Sequence, residues 1–284
     1  MHSLFMRFPG GRPKALTLSY DDAIQEDVRL IEIMKAHGLK GTFNINSGNR
    51  VTPEEQADVN AKRKYAFKTT YEEVSKTYAQ EGIEVAVHSV THPFLETLPP
   101  AQVAWEVIED RRALEAQFGT IVRGMAYPQG TFSDAVVSVL RSCGIAYSRT
   151  VKSTEKFDLP EEWLLWHPTC HHTNKRLTEI AKTFLELPCH NLRHPKLFYL
   201  WGHAYEFEQF DNWHVIEDFA KMMGGHEEIW YATNIEIYDY VEAFKRLEWS
   251  VGMTMVHNPT AMPLCFCLHD QPYCVNPGET IKIG

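Results

Sequence analysis

ALTLSYDDAIQEDVRLIEIMKAH, residues 15–37, decides the fold. Residues 15–20 form a short run of strand length, rich in apolar side chains. From Ala23 onward the period changes, and Ile24, Val28, Ile31 and Met34 fall on one face of a helix spanning 23–37. A strand therefore feeds directly into a helix, and Asp21 and Asp22 stand at the junction.

The alternation recurs. Further strand-like runs occupy 41–45, 83–87, 122–127, 145–149, 163–166, 197–201 and 229–233, with helical patterns between most of them. Strands that alternate with helices imply a parallel sheet. About eight repeats favour a distorted (β/α) barrel of seven to eight strands over a doubly wound sheet. A chain of 284 residues, 44% of them hydrophobic, can bury one substantial core, so residues 1–247 are expected to form the barrel. Two segments break the pattern. A polar insertion with several lysines and arginines fills 47–68, which reads as a surface loop bordering the rim. From residue 248 the helical period disappears and turn residues separate short runs, so 248–284 is expected to be a small β appendage packed on the barrel.

The formal net charge of −9 and a pI near 5.9 leave no basic footprint for nucleic acid. A small neutral or cationic molecule, or an oligosaccharide, fits better as a partner. Residues 1–14 lack the apolar stretch of a secretory signal, and no apolar run is long enough for a bilayer, so a cytoplasmic protein free of membranes is expected. On the same ground the six cysteines are expected to be reduced. Cys265 and Cys267 would share one face of a strand. Oligomeric state is not legible.

Asp21 and Asp22 follow the first strand, at the rim where a β/α barrel collects its catalytic groups. One aspartate could simply cap the following helix, but a cap does not need two carboxylates. His88 and His92 follow another strand, four residues apart, a spacing that lets both imidazoles face one point. Two imidazoles and a carboxylate make an open site for zinc, with cobalt, nickel or manganese as alternatives. Such an ion polarises a carbonyl and acidifies water, leaving the second aspartate to act as base.

Ser19-Tyr20-Asp21-Asp22, His88-Ser89-Val90-Thr91-His92, Ala126-Tyr127-Pro128-Gln129-Gly130 and Trp201-Gly202-His203 resemble, in that order, motifs of the polysaccharide deacetylase family, carbohydrate esterase family four. The resemblance covers roughly residues 14–244. It implies Asp21 as the general base, Asp22, His88 and His92 as metal ligands, and His203 as the acid that protonates the leaving amine. It also implies that the Gln129 backbone N–H contacts the oxyanion, and Tyr127 is expected in the pocket wall. The family's third motif begins with an arginine that orients the catalytic aspartate, and Ala126 stands in its place. The aspartate and tryptophan that support the acid have only loose counterparts in Asp158, Glu161 and Trp163, and Glu206 could orient His203 instead. His269, in a second Leu-His pair, lies in the expected appendage and reads as a decoy. His167, His171 and His172 fall on the predicted rim as possible substrate contacts.

The function expected is metal-dependent removal of an acetyl or other acyl group from a sugar or small metabolite. Hydrolysis of a cyclic amide or imide on the same barrel is one alternative. A catalytically silent carbohydrate-binding protein, kept open by Ala126, is another.

Overall fold

The computed structural model describes residues 4–189 and 193–283. Its strands are β1 (Leu4–Arg7), β2 (Lys14–Asp21), β3 (Gly41–Ile45), β4 (Ile83–Val87), β5 (Gly124–Ala126), β6 (Tyr147–Arg149), β7 (Cys170–His171), β8 (Lys196–Gly202) and β9 (Ile229–Tyr231). Five more follow: β10 (Glu248–Trp249), β11 (Met255–His257), β12 (Leu264–Leu268), β13 (Gln271–Val275) and β14 (Thr280–Lys282). The helices are α1 (Asp27–Ala36), α2 (Pro53–Asn60), α3 (Tyr71–Tyr78), α4 (Pro100–Phe118), α5 (Asp134–Ser142), α6 (Leu177–Glu186), α7 (Tyr205–Gln209), α8 (His214–Met223) and α9 (Asn234–Phe244).

Seven strands pair in the order β6-β5-β4-β3-β2-β8-β7, all parallel, and β9 joins the lower half of β2. The gap between β6 and β7 is bridged where Trp166 pairs with Arg149 before the chain enters β7. This is the expected distorted barrel. Every residue of β2 is buried, as a strand covered on both faces must be. Its alternate residues Leu16, Leu18 and Tyr20 pack in one cluster with Leu30, Ile31 and Met34 of α1. The intervening residues are polar and bond inside the barrel, Thr17 to Asn234 and Ser19 to Asn44.

Three expectations need correction. The helix expected from residue 23 begins at Asp27, because Asp22 and Ala23 take left-handed conformations (φ 82 and 53) that a helix cannot continue. The strand expected at 163–166 is a single 3-10 turn, Trp163–Leu165, whose Leu164 N–H bonds Glu162. Trp163 and Trp166 meet edge to face there, at 4.9 Å, instead of alternating across a sheet. Finally, the cysteines are not all free: Cys265 stands opposite Cys274 in the antiparallel β12–β13 register, and the two form a disulfide. The sequence places Cys267 on the face of Cys265 but does not reveal which residue lies opposite.

The strands beyond residue 247 form two three-stranded sheets, β10-β11-β14 and β1-β12-β13. The second includes the N-terminal strand, so both ends of the chain build it. Leu264, Phe266 and Val275 share a core with Ala15, Leu197 and Tyr199 of the barrel. Among the described residues no helix is long and apolar enough to cross a membrane.

Candidate active site

The C-terminal ends of the parallel strands converge on one rim. Asp21 ends β2, His88 follows β4, Arg149 ends β6, His171 ends β7, and His203 follows β8. Several residues there hold left-handed backbones without being glycine: Asp22, Ser89 (φ 65), His92 (φ 58) and Gln129 (φ 59). Such conformations cost about 1–3 kcal/mol each and persist only where the surroundings impose them. The Asp22 N–H bonds the Asn44 carbonyl at 3.0 Å. The His88 N–H bonds buried Asp110 of α4 at 2.9 Å, and Asn46 donates to the His88 and Ser89 carbonyls. Glu106 of α4 accepts from the Thr91 N–H at 2.9 Å, and Ser89 Oγ accepts from the His92 N–H at 3.0 Å. The loop carrying both histidines is thus fixed by α4.

Asp22 Oδ1 lies 3.8 Å from His88 Nε2 and 3.8 Å from His92 Nε2, and the two nitrogens are 3.1 Å apart. An ion bound tetrahedrally at 2.0–2.1 Å requires donors about 3.4 Å apart, so the triangle fits one closely. The tautomer fits too. His88 Nδ1 donates to the Ala126 carbonyl at 2.8 Å, which leaves the Nε2 lone pair facing the other donors. The Gln129 side-chain amide nitrogen lies 2.9 Å from His92 Nδ1 and 3.4 Å from the His92 carbonyl, so it positions that ring from the other side.

Asp21 is buried beside this triangle. Asn44 donates to its Oδ1 at 2.8 Å, and Oδ2 accepts from Arg149, itself fully buried, with His88 Nε2 and His203 Nε2 at 3.8 and 3.7 Å. Burial alone would raise the Asp21 carboxyl, but the Arg149 charge, the neighbouring histidines and the Arg149 hydrogen bond hold it at about 2. Sequence reasoning missed Arg149. Its signal was present: an arginine ending an apolar strand, 145–149, on the rim that carries the chemistry.

On the far side of Asp21, His203 Nδ1 lies 3.3 Å from Glu206 Oε2. That oxygen also faces His171 Nε2 and His172 Nε2, each at 3.2 Å. Burial pulls the His203 imidazole down, but the Glu206 hydrogen bond and the charges of Asp21, Asp22 and Glu206 outweigh it and lift the group to about 9. Burial would likewise raise Glu206, yet the three imidazoles hold it far below the usual carboxylate range. His171, His203 and Glu206 also form a metal-type cluster, and the hydrogen bonds that reach Glu206 Oε2 come from the His203 backbone N–H at 3.2 Å and the His203 ring at 3.3 Å. His172 is buried against Gly202, where a Cβ would lie 2.0 Å from its Nδ1, so only glycine fits ahead of His203.

The remaining candidates lie elsewhere. Tyr127 is buried and its hydroxyl donates to the Leu164 carbonyl at 2.9 Å, so it backs the third motif instead of lining an open pocket. His167 pairs with Thr150. Asp158 binds Lys196, and the Trp163 indole binds Glu242, so neither supports His203. His269 sits in the turn between β12 and β13, on a sheet separate from the barrel.

Residues 9–148 match the family model for polysaccharide deacetylase. No curated protein sequence matches the chain. Among solved structures, a Mycobacterium smegmatis protein assigned to the polysaccharide deacetylases aligns over 84% of this chain and 93% of its own, with TM-score 0.56 and 15% identity. That likeness shows a shared fold. A carbohydrate esterase family four pseudoenzyme of Bacillus anthracis aligns over 83% of this chain and 68% of its own, at TM-score 0.49 and 18% identity. The Streptococcus pyogenes deacetylase PplD, solved with acetate, aligns over 52% of this chain at TM-score 0.44 and 19% identity; the match spans 61% of PplD.

Proposed function

We propose that this chain, whose residues 9–148 match the polysaccharide deacetylase family model, is a metal-dependent hydrolase that removes an acetyl group from an N-acetylated sugar or small acylated metabolite. The observation that carries this reading is Asp21 Oδ2, fixed by Arg149 and 3.7 Å from His203 Nε2, beside the donor triangle of Asp22, His88 and His92.

Asp22, His88 and His92 would hold the ion, with zinc the first choice for a set of two imidazoles and a carboxylate. When bound it supplies a polarised carbonyl and a more acidic water. The chain's own groups do the rest. Asp21, ionised throughout the neutral range, takes a proton from the attacking water on Oδ2. His203, protonated and held by Glu206 on Nδ1, gives its Nε2 proton to the nitrogen as the C–N bond breaks. Acid and base are thus separated by environment, as amide cleavage requires. The Gln129 main-chain N–H, presented by its left-handed turn, is assigned to the oxyanion. The catalytically silent reading rested on the arginine missing at position 126, and Arg149 supplies that partner to Asp21.

The test is metal analysis of the purified protein combined with acetate release from a panel of N-acetylated sugars. Asp21→Asn should retain a stoichiometric ion and lose turnover, whereas His88→Ala should lose both. Full activity in either variant, or no metal in the active wild type, would sink the mechanism.

A further inference from the structure

The insertion at 47–68 is built far more firmly than a surface loop requires. Helix α2 buries none of its residues, yet two of its side chains grip Lys68: Asn60 bonds both its N–H and its carbonyl, at 2.8 and 3.0 Å, and Gln56 bonds the carbonyl at 3.0 Å. Lys68 also pairs with Ile24, two residues past Asp22, and Thr69 donates to the Ala23 carbonyl at 2.7 Å. Ala66 holds a left-handed backbone, φ 57, imposed by the buried Glu26 carboxylate, which accepts from the Ala66 N–H at 2.5 Å and the Phe67 N–H at 3.1 Å. Burying a carboxylate and straining an alanine both cost free energy, and such strain collects where a segment has a task.

That anchoring presents two side chains to the rim. The Tyr65 ring stacks on Tyr205 with centroids 5.7 Å apart and planes 14° from parallel, and Tyr205 lies 5.3 Å from the His203 ring. Lys68 is half-buried and close enough to Asp22 and Arg63 for their charges to act on it. Among the described residues its ammonium has no hydrogen-bond or ion-pair partner, whereas Arg63 spends one nitrogen on the Ala66 carbonyl at 3.1 Å. Asp22 belongs to the metal set, so it is not a private counter-ion for Lys68. A half-buried cation without its own anion is costly unless a ligand supplies one.

We propose that Lys68, Tyr65 and Tyr205 form the substrate-recognition wall of this site and select an acylated molecule carrying a negatively charged substituent, phosphate or carboxylate, beside a ring that packs on the tyrosines. The inference rests on the deacetylase reading for the site's location. It reverses the expectation drawn from net charge, because over a few ångströms the nearest charges outweigh a screened total.

The probes are N-acetylglucosamine and its 6-phosphate, with N-acetylglutamate and its neutral diamide as the carboxylate pair. Each is titrated calorimetrically into metal-loaded protein, and acetate release is measured alongside. At least one anionic probe should bind tenfold or more tighter than its neutral partner, with the preference shrinking as salt rises. Lys68→Met should remove that preference while changing neutral-probe affinity less than twofold and leaving metal content unchanged. Tyr65→Ala should weaken both members of the pair. Equal affinity within every pair, no binding of any anionic probe, or a Lys68→Met loss equal for both members would overturn the proposal. A charge preference in binding without acetate release leaves the wall standing and removes the deacetylase reading; acetate release without preference does the reverse.

Discussion

Replacing Arg149 by Met isolates the interaction that gives Asp21 its place. Methionine keeps most of the side-chain length and part of the packing against Trp201, over whose ring the guanidinium lies 4.2 Å from the centroid. It removes the charge and the bond to Oδ2. Asp21 is held at about 2 instead of 3.8, a gap on the order of 2–3 kcal/mol. A carboxyl lowered in the fold contributes that stability above pH 3.8 and loses it as pH falls through 2, so at pH 7 it is fully present. Burial opposes the lowering, and Arg149 is the largest of the groups that produce it. The coupling between Arg149 and Asp21 should therefore be about 2–3 kcal/mol, close to the 3–5 kcal/mol typical of breaking a buried pair from one side.

A double-mutant cycle measures it. Wild type, Arg149→Met, Asp21→Asn and the double variant are unfolded in urea at pH 7 after chelation of metal, so that ion binding does not enter. Arg149→Met should cost about 2–3 kcal/mol more in the wild-type background than in the Asp21→Asn background. Metal-loaded Arg149→Met should keep its ion and lose turnover. Additive costs, with a coupling below about 0.5 kcal/mol, would show that Arg149 acts through packing alone and that Asp21 is oriented by something else.

Other outcomes follow from the same structure. Glu206→Gln removes the main group raising His203, so the alkaline limb of kcat/KM should move toward acid by one pH unit or more; an unmoved limb would dismiss His203 as the acid or Glu206 as its partner. At the barrel floor Glu84 is raised to about 7, by burial against the bonds from Tyr147, Ile235 and Thr42. A raised carboxyl favours the fold below its ordinary 4.5 and loses that advantage as pH climbs through 7. Glu84→Gln should accordingly gain on wild type between pH 5 and pH 8.5, by up to about 3 kcal/mol; parallel stability curves would refute it. Thiol titration of unfolded protein should find four cysteines before reduction and six after. Replacing Cys265 and Cys274 by serine should lower stability by about 2–3 kcal/mol, the entropy of a short closed loop.

What the sequence revealed depended on how far along the chain each signal extends. Asp21-Asp22 and the His88–His92 pair were legible because strand periodicity places them at a rim and four-residue spacing brings imidazoles together. His203 was separated from His269 by local context alone, one ending a barrel strand and the other lying in a turn between antiparallel strands. The disulfide, the Tyr65–Tyr205 stack and the grip of α2 on Lys68 depend on which residues lie opposite one another, and that is a property of register. Asp158 and Trp163 had the right residue types, but Asp158 pairs with Lys196, and the strand expected at Trp163 is a 3-10 turn that turns the indole to Glu242.

Register also explains how the arginine missing from position 126 is made good. In the parallel pairing of β5 and β6, Ala126 stands beside Arg149. Partners in neighbouring strands lie about 4.8 Å apart and project their side chains to the same face. An arginine is long enough to reach the same carboxylate from either position, and Ala126 is small enough to leave the path open. What Asp21 requires is a guanidinium at Oδ2, not an arginine at a particular place in the chain. A motif read along the sequence records only one of the two strands that can deliver it, so the absence at 126 looked like a lost function while the sheet carried the group one strand over.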